Sequence, residues 1–231
     1  MTDRNQASVP AATVGSEGSV DTAAEASRLP SPIWAATLQA LANLVAHDFR
    51  NALNGVAVNL EVVRGRSARG AESSAIAPFA ATAAAQFEAA SAAAEALLAF
   101  ARPEPGDPDI AAIALRVERL VGLRQPASLR VSDGSRGRAR TTVPGDIARA
   151  AVARSVLSAL DTGDAISCEI TVGGDIFLRV TGATRVPPPP DSETVAVISR
   201  YGVRFATRGH TLEVRFPAVD SRANANQQPP E

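Results

Sequence analysis

Trp34, Leu38, Leu41, Val45, Phe49, Leu53, Val56, Leu60 and Val63 recur every three or four residues, the spacing of one face of an α-helix. With Pro32 suited to a first helical turn, the spacing predicts a long amphipathic helix from Ser31 to Arg64. A turn rich in glycine, serine and arginine, GRSARGAESS, follows at 65–74. Phe79, Ala83, Phe87, Ala90, Ala94, Leu97 and Ala101 then repeat the helical spacing until Pro103 stops it. Residues 31–103 therefore read as an antiparallel helical hairpin. Two stripes alone leave their apolar faces half open, so two copies pairing into a four-helix bundle would bury them, making the chain a homodimer. The alternative is a bundle completed within the chain by a later helix.

Beyond the linker PEPGDP at 103–108 the periodicity becomes mixed. Ile113, Val117 and Leu120 predict a helix over about 109–123, and GDIARAAVARSVLSAL another from Asp146 to Leu160. SLRV and RTTV read as short strands, and ISCEITV and DIFLRVT as a hairpin across a Gly-Gly-Asp connection. After the four prolines at 187–190, SETVAVISRYG reads as a short helix, and VRFAT with TLEVRF as a second hairpin. Strands interspersed with helices, with little parallel spacing, predict an α+β fold in which 109–217 form a sandwich. Residues 1–30 and 218–231 hold few large apolar groups and read as a disordered leader and tail.

Composition narrows the function. The 231 residues carry 23 basic and 24 acidic groups, a formal net charge of −1, so there is no basic footprint for nucleic acid. No apolar run reaches the roughly 18 residues of a membrane span, and the N-terminus lacks a secretory pattern; the chain reads as cytoplasmic. The single cysteine, Cys168, alternates with Ile166, Ile170 and Val172 and reads as a core thiol.

The chemistry concentrates in HDFRNALNG, residues 47–55. At about 100° per residue, His47 lies near 200° from both Val45 and Phe49 and faces away from the apolar stripe. Asn43, Arg50, Asn51, Asn54 and Glu61 fall within about 60° of it and form a polar ridge. A neutral imidazole is a nucleophile through one ring nitrogen when the other is held as a donor, and Asp48 could accept that bond. Asn51, one turn on, could orient a water or phosphoryl oxygens. Arg50 could meet a phosphate or an acidic surface. The spacing offers no metal site, because no second histidine stands at i+4 and His210 lies in a turn. No nucleophile elbow accompanies a Ser-His-Asp set either.

HDFRNALNGVAVNLEVVR resembles the phosphoacceptor helix of sensor histidine kinases: His47, Asp48, Phe49, Arg50, Asn51 and Leu53 match its pattern, with Ala52 in place of a proline. LLAFARPEP, 97–105, resembles the end of the second helix of that family's dimerisation and phosphotransfer hairpin. The resemblance implies that His47 accepts or donates phosphate, that Asp48 assists as acid or base, and that Asn51 supports dephosphorylation of a partner. Asn43, Arg50 and Asn54 would contact that partner, the receiver domain of a response regulator.

In the family an ATP-binding α/β sandwich follows, and 109–217 keep its order of elements. VPGDIARAAVARSVLSALDTG, 143–163, holds Ser155 and Ala159 where the resemblance calls for metal-binding amides. LRVTGATRV, 178–186, offers Thr181, Ala183 and Arg185 in place of the adenine-binding Asp-x-Gly-x-Gly, and the prolines leave no room for a glycine-rich lid. The expected fold is thus a helical hairpin dimerising into a four-helix bundle, followed by a degenerate ATPase-like sandwich. The chain itself is expected to hold no cofactor or metal and not to use ATP; magnesium would come with the receiver. Two alternatives remain open: a divergent ATP-dependent histidine kinase, and a non-catalytic dimeric adaptor for receiver domains.

Overall fold

The computed structural model describes residues 31–103, 106–122, 129–131, 137–163 and 165–219; the expected leader and nearly all of the expected tail lie outside these. The elements are α1 (Pro32–Ala68), α2 (Ser73–Ala101), α3 (Ile110–Gly122), β1 (Leu129–Val131), α4 (Gly145–Leu160), β2 (Ile166–Val172), β3 (Asp175–Gly182), α5 (Ser192–Ser199), β4 (Arg204–Arg208) and β5 (Thr211–Pro217). The fold is α+β, as expected. None of the described helices is long and apolar enough to cross a membrane.

The five strands form one sheet in the order β1-β2-β3-β5-β4. β2, β3, β5 and β4 are antiparallel neighbours, while β1 runs parallel to β2 across the connection that contains α4. Alternation sorts the faces: Ile166, Cys168 and Ile170 of β2, Ile176, Leu178 and Val180 of β3, and Leu212, Val214 and Phe216 of β5 are buried. They pack with Ile110, Ile113, Val117 and Leu120 of α3 and with Ile147, Val152 and Val156 of α4 in one core. The other face carries a polar ladder, with Arg179 Nε donating to Glu213 Oε2 at 3.1 Å and Thr181 and Thr211 sharing a hydroxyl bond of 2.9 Å. Burial, with a smaller push from the Glu118 charge, raises the Cys168 thiol to about 12, so it stays neutral, as a core thiol should.

RTTV forms no strand. Arg140 and Thr141 make only isolated bridges, to Asp109 and Ala218, and the Thr141 hydroxyl donates to the Pro217 carbonyl at 2.7 Å. Pro144 follows at once and cannot donate to a ladder. The same bridge carries the fold beyond the expected tail boundary at 218, since Val219 N–H donates to the Arg140 carbonyl.

The hairpin is present, and its helices are longer than the spacing predicts. α1 continues from Arg64 to Ala68 and α2 begins at Ser73, shrinking the turn of 65–74. Arg66 explains the extension: its guanidinium sits 4.4 Å from the centre of the Phe79 ring and donates to the Ala75 carbonyl at 2.9 Å, so the last turn of α1 is held by α2. The root of the hairpin belongs to the main core. Ile33, Trp34, Leu41 and Val45 of α1, with Ala96 and Phe100 of α2, cluster with α3 and α4. Later helices of the chain therefore cover the root.

Away from the root the stripe is covered on one side only. Asn59 and Arg66 face α2, whereas Phe49, Leu53 and Leu60, turned about 100° round the helix from them, remain exposed, Leu60 at 52%. Phe87 and Leu98 of α2 are also exposed, each at 59%. A stripe this wide needs two neighbouring helices, and α2 is one.

Candidate functional site

α1 places His47 at the edge of the part covered by the core. Val45 is buried, and two residues on, about 200° around the helix, the His47 side chain is 67% exposed. Its Nδ1 lies 3.2 Å from Asp48 Oδ1 and 3.1 Å from Asn51 Nδ2. His47, Asp48 and Asn51 are thus brought together at one ring nitrogen. Nε2 has no hydrogen-bond partner among the described residues.

A single nitrogen cannot satisfy both neighbours in one protonation state. With the proton on Nδ1, the ring donates to Asp48, and Nε2 holds a free lone pair toward solvent. With an Asn51 N–H donating instead, Nδ1 accepts and the proton moves to Nε2, which is then no nucleophile. The Asn51 amide can turn to present its oxygen, since the two orientations differ only in hydrogen bonding. Asp48 and Asn51 therefore choose between a nucleophilic and a silent tautomer.

Asn43, Arg50 and Asn54 are exposed on the same ridge, and none bonds to His47. Arg50 and Asn54 instead border a groove of about 520 Å³ between α1 and α2, floored by Val45, Phe49, Leu53 and Leu97. His47 and Asn51 thus share a helix face with the expected contact residues without forming one hydrogen-bonded network with them.

Among the described residues no group of three His, Cys, Asp or Glu could hold a metal ion. The positions that the resemblance matches to the family's nucleotide site are engaged within the fold. Ser155 and Ala159 are fully buried, and the Ser155 hydroxyl donates to the Ala151 carbonyl at 2.8 Å. The Thr181 hydroxyl is engaged by Thr211 on the sheet's polar face. Ser158 donates to the carbonyls of Pro188 and Pro189 at 3.0 and 3.1 Å, and Arg185 donates to that of Thr162 at 3.2 Å. These bonds fasten the chain between β3 and α5 onto α4 and the turn that follows it.

Two arrangements escaped the sequence reading. Arg149, on the buried face of α4, donates to the carbonyl of Arg102 at 2.7 Å and lies over Trp34, joining both ends of the hairpin to the sandwich. The signal was a cation among alanines that helical spacing places inside. Asn59 Nδ2 donates to Gly55 O at 2.9 Å and to Gln86 Oε1 at 3.2 Å, and the Gln86 amide fills the space above Gly55.

No family model matches this sequence, and no curated protein matches it. Among solved structures, the chain is similar to one described as the 1.7 Angstrom structure of a bacterial phosphotransferase, with 14% identity, coverage of 81% of this chain and 98% of that one, and a TM-score of 0.44.

Proposed function

We propose that this chain is a two-component signalling protein in which His47 exchanges a phosphoryl group with the aspartate of a response-regulator receiver, without using ATP. The observation that carries the reading is the pairing of Nδ1 with Asp48 while Nε2 is unbonded and the side chain is 67% exposed. In the forward step the Nε2 lone pair attacks the phosphorus of the aspartyl phosphate. The N–P bond forms as the P–O bond to the receiver carboxylate breaks, and that carboxylate leaves with the electron pair. The positive charge that develops on the ring is stabilised through Nδ1–H by Asp48. Asn51, turned from the ring, holds a water in line for hydrolysis of the same acyl phosphate. Magnesium belongs to the receiver's own acidic site.

The open stripe of Phe49, Leu53 and Leu60 supports a homodimer, its second hairpin supplying the other neighbouring helix of a four-helix bundle. About 100° further round, Asn43 and His47 stay clear of that contact and, with Arg50 and Asn54 at its border, meet the receiver. The test is to incubate the purified chain with radiolabelled ATP, and separately with receiver domains from its own genome, phosphorylated beforehand with labelled acetyl phosphate. Acid-labile label on His47 from a receiver and not from ATP supports the reading. Label from ATP assigns an ATP-dependent kinase instead. No label from either, with receivers keeping their phosphate, leaves the adaptor.

A further inference from the structure

The sheet has one long open edge, and its chemistry is one-sided. Among the described residues β4 pairs only with β5. Their hairpin closes through the two residues Gly209 and His210, with Gly209 at φ +57°, so Arg208 and Thr211 form the first hydrogen-bonded pair. Alternation then turns the backbone groups of Ala206 and Arg204 toward β5 and those of Phe205 and Thr207 away from it. The outward N–H and C=O groups of Phe205 and Thr207 have no partner among the described residues. Alongside them runs a groove of about 490 Å³ lined by Pro189, Pro190, Val195, Ala196, Phe205 and Thr207.

Charge is asymmetric at the same edge. Between Glu193 and Glu213 the chain has no acid and carries Arg200, Arg204, Arg208 and His210. Arg204 stands directly opposite Arg215, a like-charge pair across the strands that is unfavourable by itself. Arg215 is neutralised by Asp175, its Nε donating at 2.6 Å, while among the described residues the Arg204 guanidinium meets only the carbonyls of Ser199 and Val203. Arg208, 77% exposed, is 4.0 Å from Glu213, which is already bonded to Arg179.

We infer that the β4 edge accepts an extended segment of a partner protein in which apolar and acidic residues alternate. Main-chain bonds to Phe205 and Thr207 would add it as a sixth strand. Residues opposite Phe205 and Thr207 then drop into the apolar groove, and those between them stand on the open face beside Arg204 and Arg208, where acids are complementary to the two cations. Cationic side chains on an edge also serve to repel stray strands. An edge that only guards binds neither peptide, so the titration below separates the two roles.

The full chain, labelled for amide NMR, is titrated with a short peptide alternating valine and glutamate, with its valine-lysine counterpart, and with a valine-glutamate peptide N-methylated along one edge. Saturable shifts of the Phe205 and Thr207 amides are expected with the first peptide only. Arg208→Glu is expected to weaken that binding about tenfold, on the scale of losing and then reversing two exposed cross-strand pairs. Absence of shifts at these amides, equal binding of the lysine peptide, or undiminished binding of the N-methylated peptide overturns the proposal. Because the N-methylated peptide leaves the protein unaltered, the outcome does not depend on any variant folding, and receiver phosphotransfer plays no part in the readout.

Discussion

The guanidinium of Arg149 lies 4.6 Å from the centre of the Trp34 ring. Trp34 stands in the first turn of α1, and the carbonyl that accepts from Arg149 belongs to Arg102, the residue that caps α2, so one side chain of α4 holds both ends of the hairpin. Burial pulls the Arg149 pKa down, the Asp146 charge partly restoring it, yet an arginine stays charged. The attachment is reinforced nearby by Asp146, whose carboxylate accepts from Ser31 N–H at 3.2 Å.

Arg149→Ala is expected to cost about 2 kcal/mol, from a desolvated cation–π contact and a charged hydrogen bond, less the relief of the buried charge. Thermal unfolding should show a midpoint roughly 4–8 °C lower. Arg149→Lys keeps the charge but loses the planar fork and should recover less than half of the loss. An unchanged midpoint in the alanine variant would show that the clamp contributes nothing.

At His47, Asp48→Asn removes the charge that favours a protonated Nδ1 and adds an N–H that can donate to Nδ1 instead. Phosphate transfer from a receiver should slow by about 10²-fold, with receiver affinity unaltered in a binding titration. Asn51→Ala should act in the other direction on the ring, leaving transfer within about twofold while receiver dephosphorylation falls roughly tenfold. Equal losses in both activities for both variants would remove the division of labour between Asp48 and Asn51.

Gly55 and Gln86 form a notch and its filling within the hairpin. Gly55→Ala gains about 1 kcal/mol of helix propensity but displaces the Gln86 amide from Asn59, so denaturant unfolding should change by less than about 0.5 kcal/mol. Gly55→Leu overfills the notch and should cost roughly 1–3 kcal/mol. Adding Gln86→Ala should return more than half of that; strict additivity of the two substitutions would contradict the packing.

α5 begins at Asp191, whose carboxylate accepts from the Thr194 N–H at 2.8 Å and the Thr194 hydroxyl at 2.7 Å. The backbone bond, then the hydroxyl bond, hold the carboxyl below its ordinary value of 3.8. With the folded pKa below the unfolded one, the stabilisation is present above the unfolded value and is lost as pH falls through the folded value. Asp191→Ala should therefore cost about 1 kcal/mol at neutral pH, and its deficit relative to the natural chain should shrink on acidification below about pH 4. Asp191→Asn, which keeps an uncharged cap, should retain most of the stability at either end. A deficit independent of pH would place the effect elsewhere than in the carboxylate.

The hairpin, both β-hairpins and the outward direction of His47 are legible in the chain because each depends on local periodicity: 3.6 residues per helical turn, two per strand repeat. The same patterning shows that Phe49, Leu53 and Leu60 need cover, and that Cys168 sits with Ile166 and Ile170 on a buried face. Periodicity states which face must be covered and is silent on what covers it. That is why the root of the hairpin joining α3 and α4, the insertion of β5 between β3 and β4, and the parallel pairing of β1 with β2 belong to the tertiary structure alone. RTTV misled for a related reason: alternation is satisfied as well by Thr141 bonding to Pro217 as by a ladder. The meeting of His47 Nδ1 with both Asp48 and Asn51 lies between the two cases. Helical spacing brings these residues near one another, and only the rotamers chosen in the folded chain make one nitrogen the shared point on which the proposed chemistry turns.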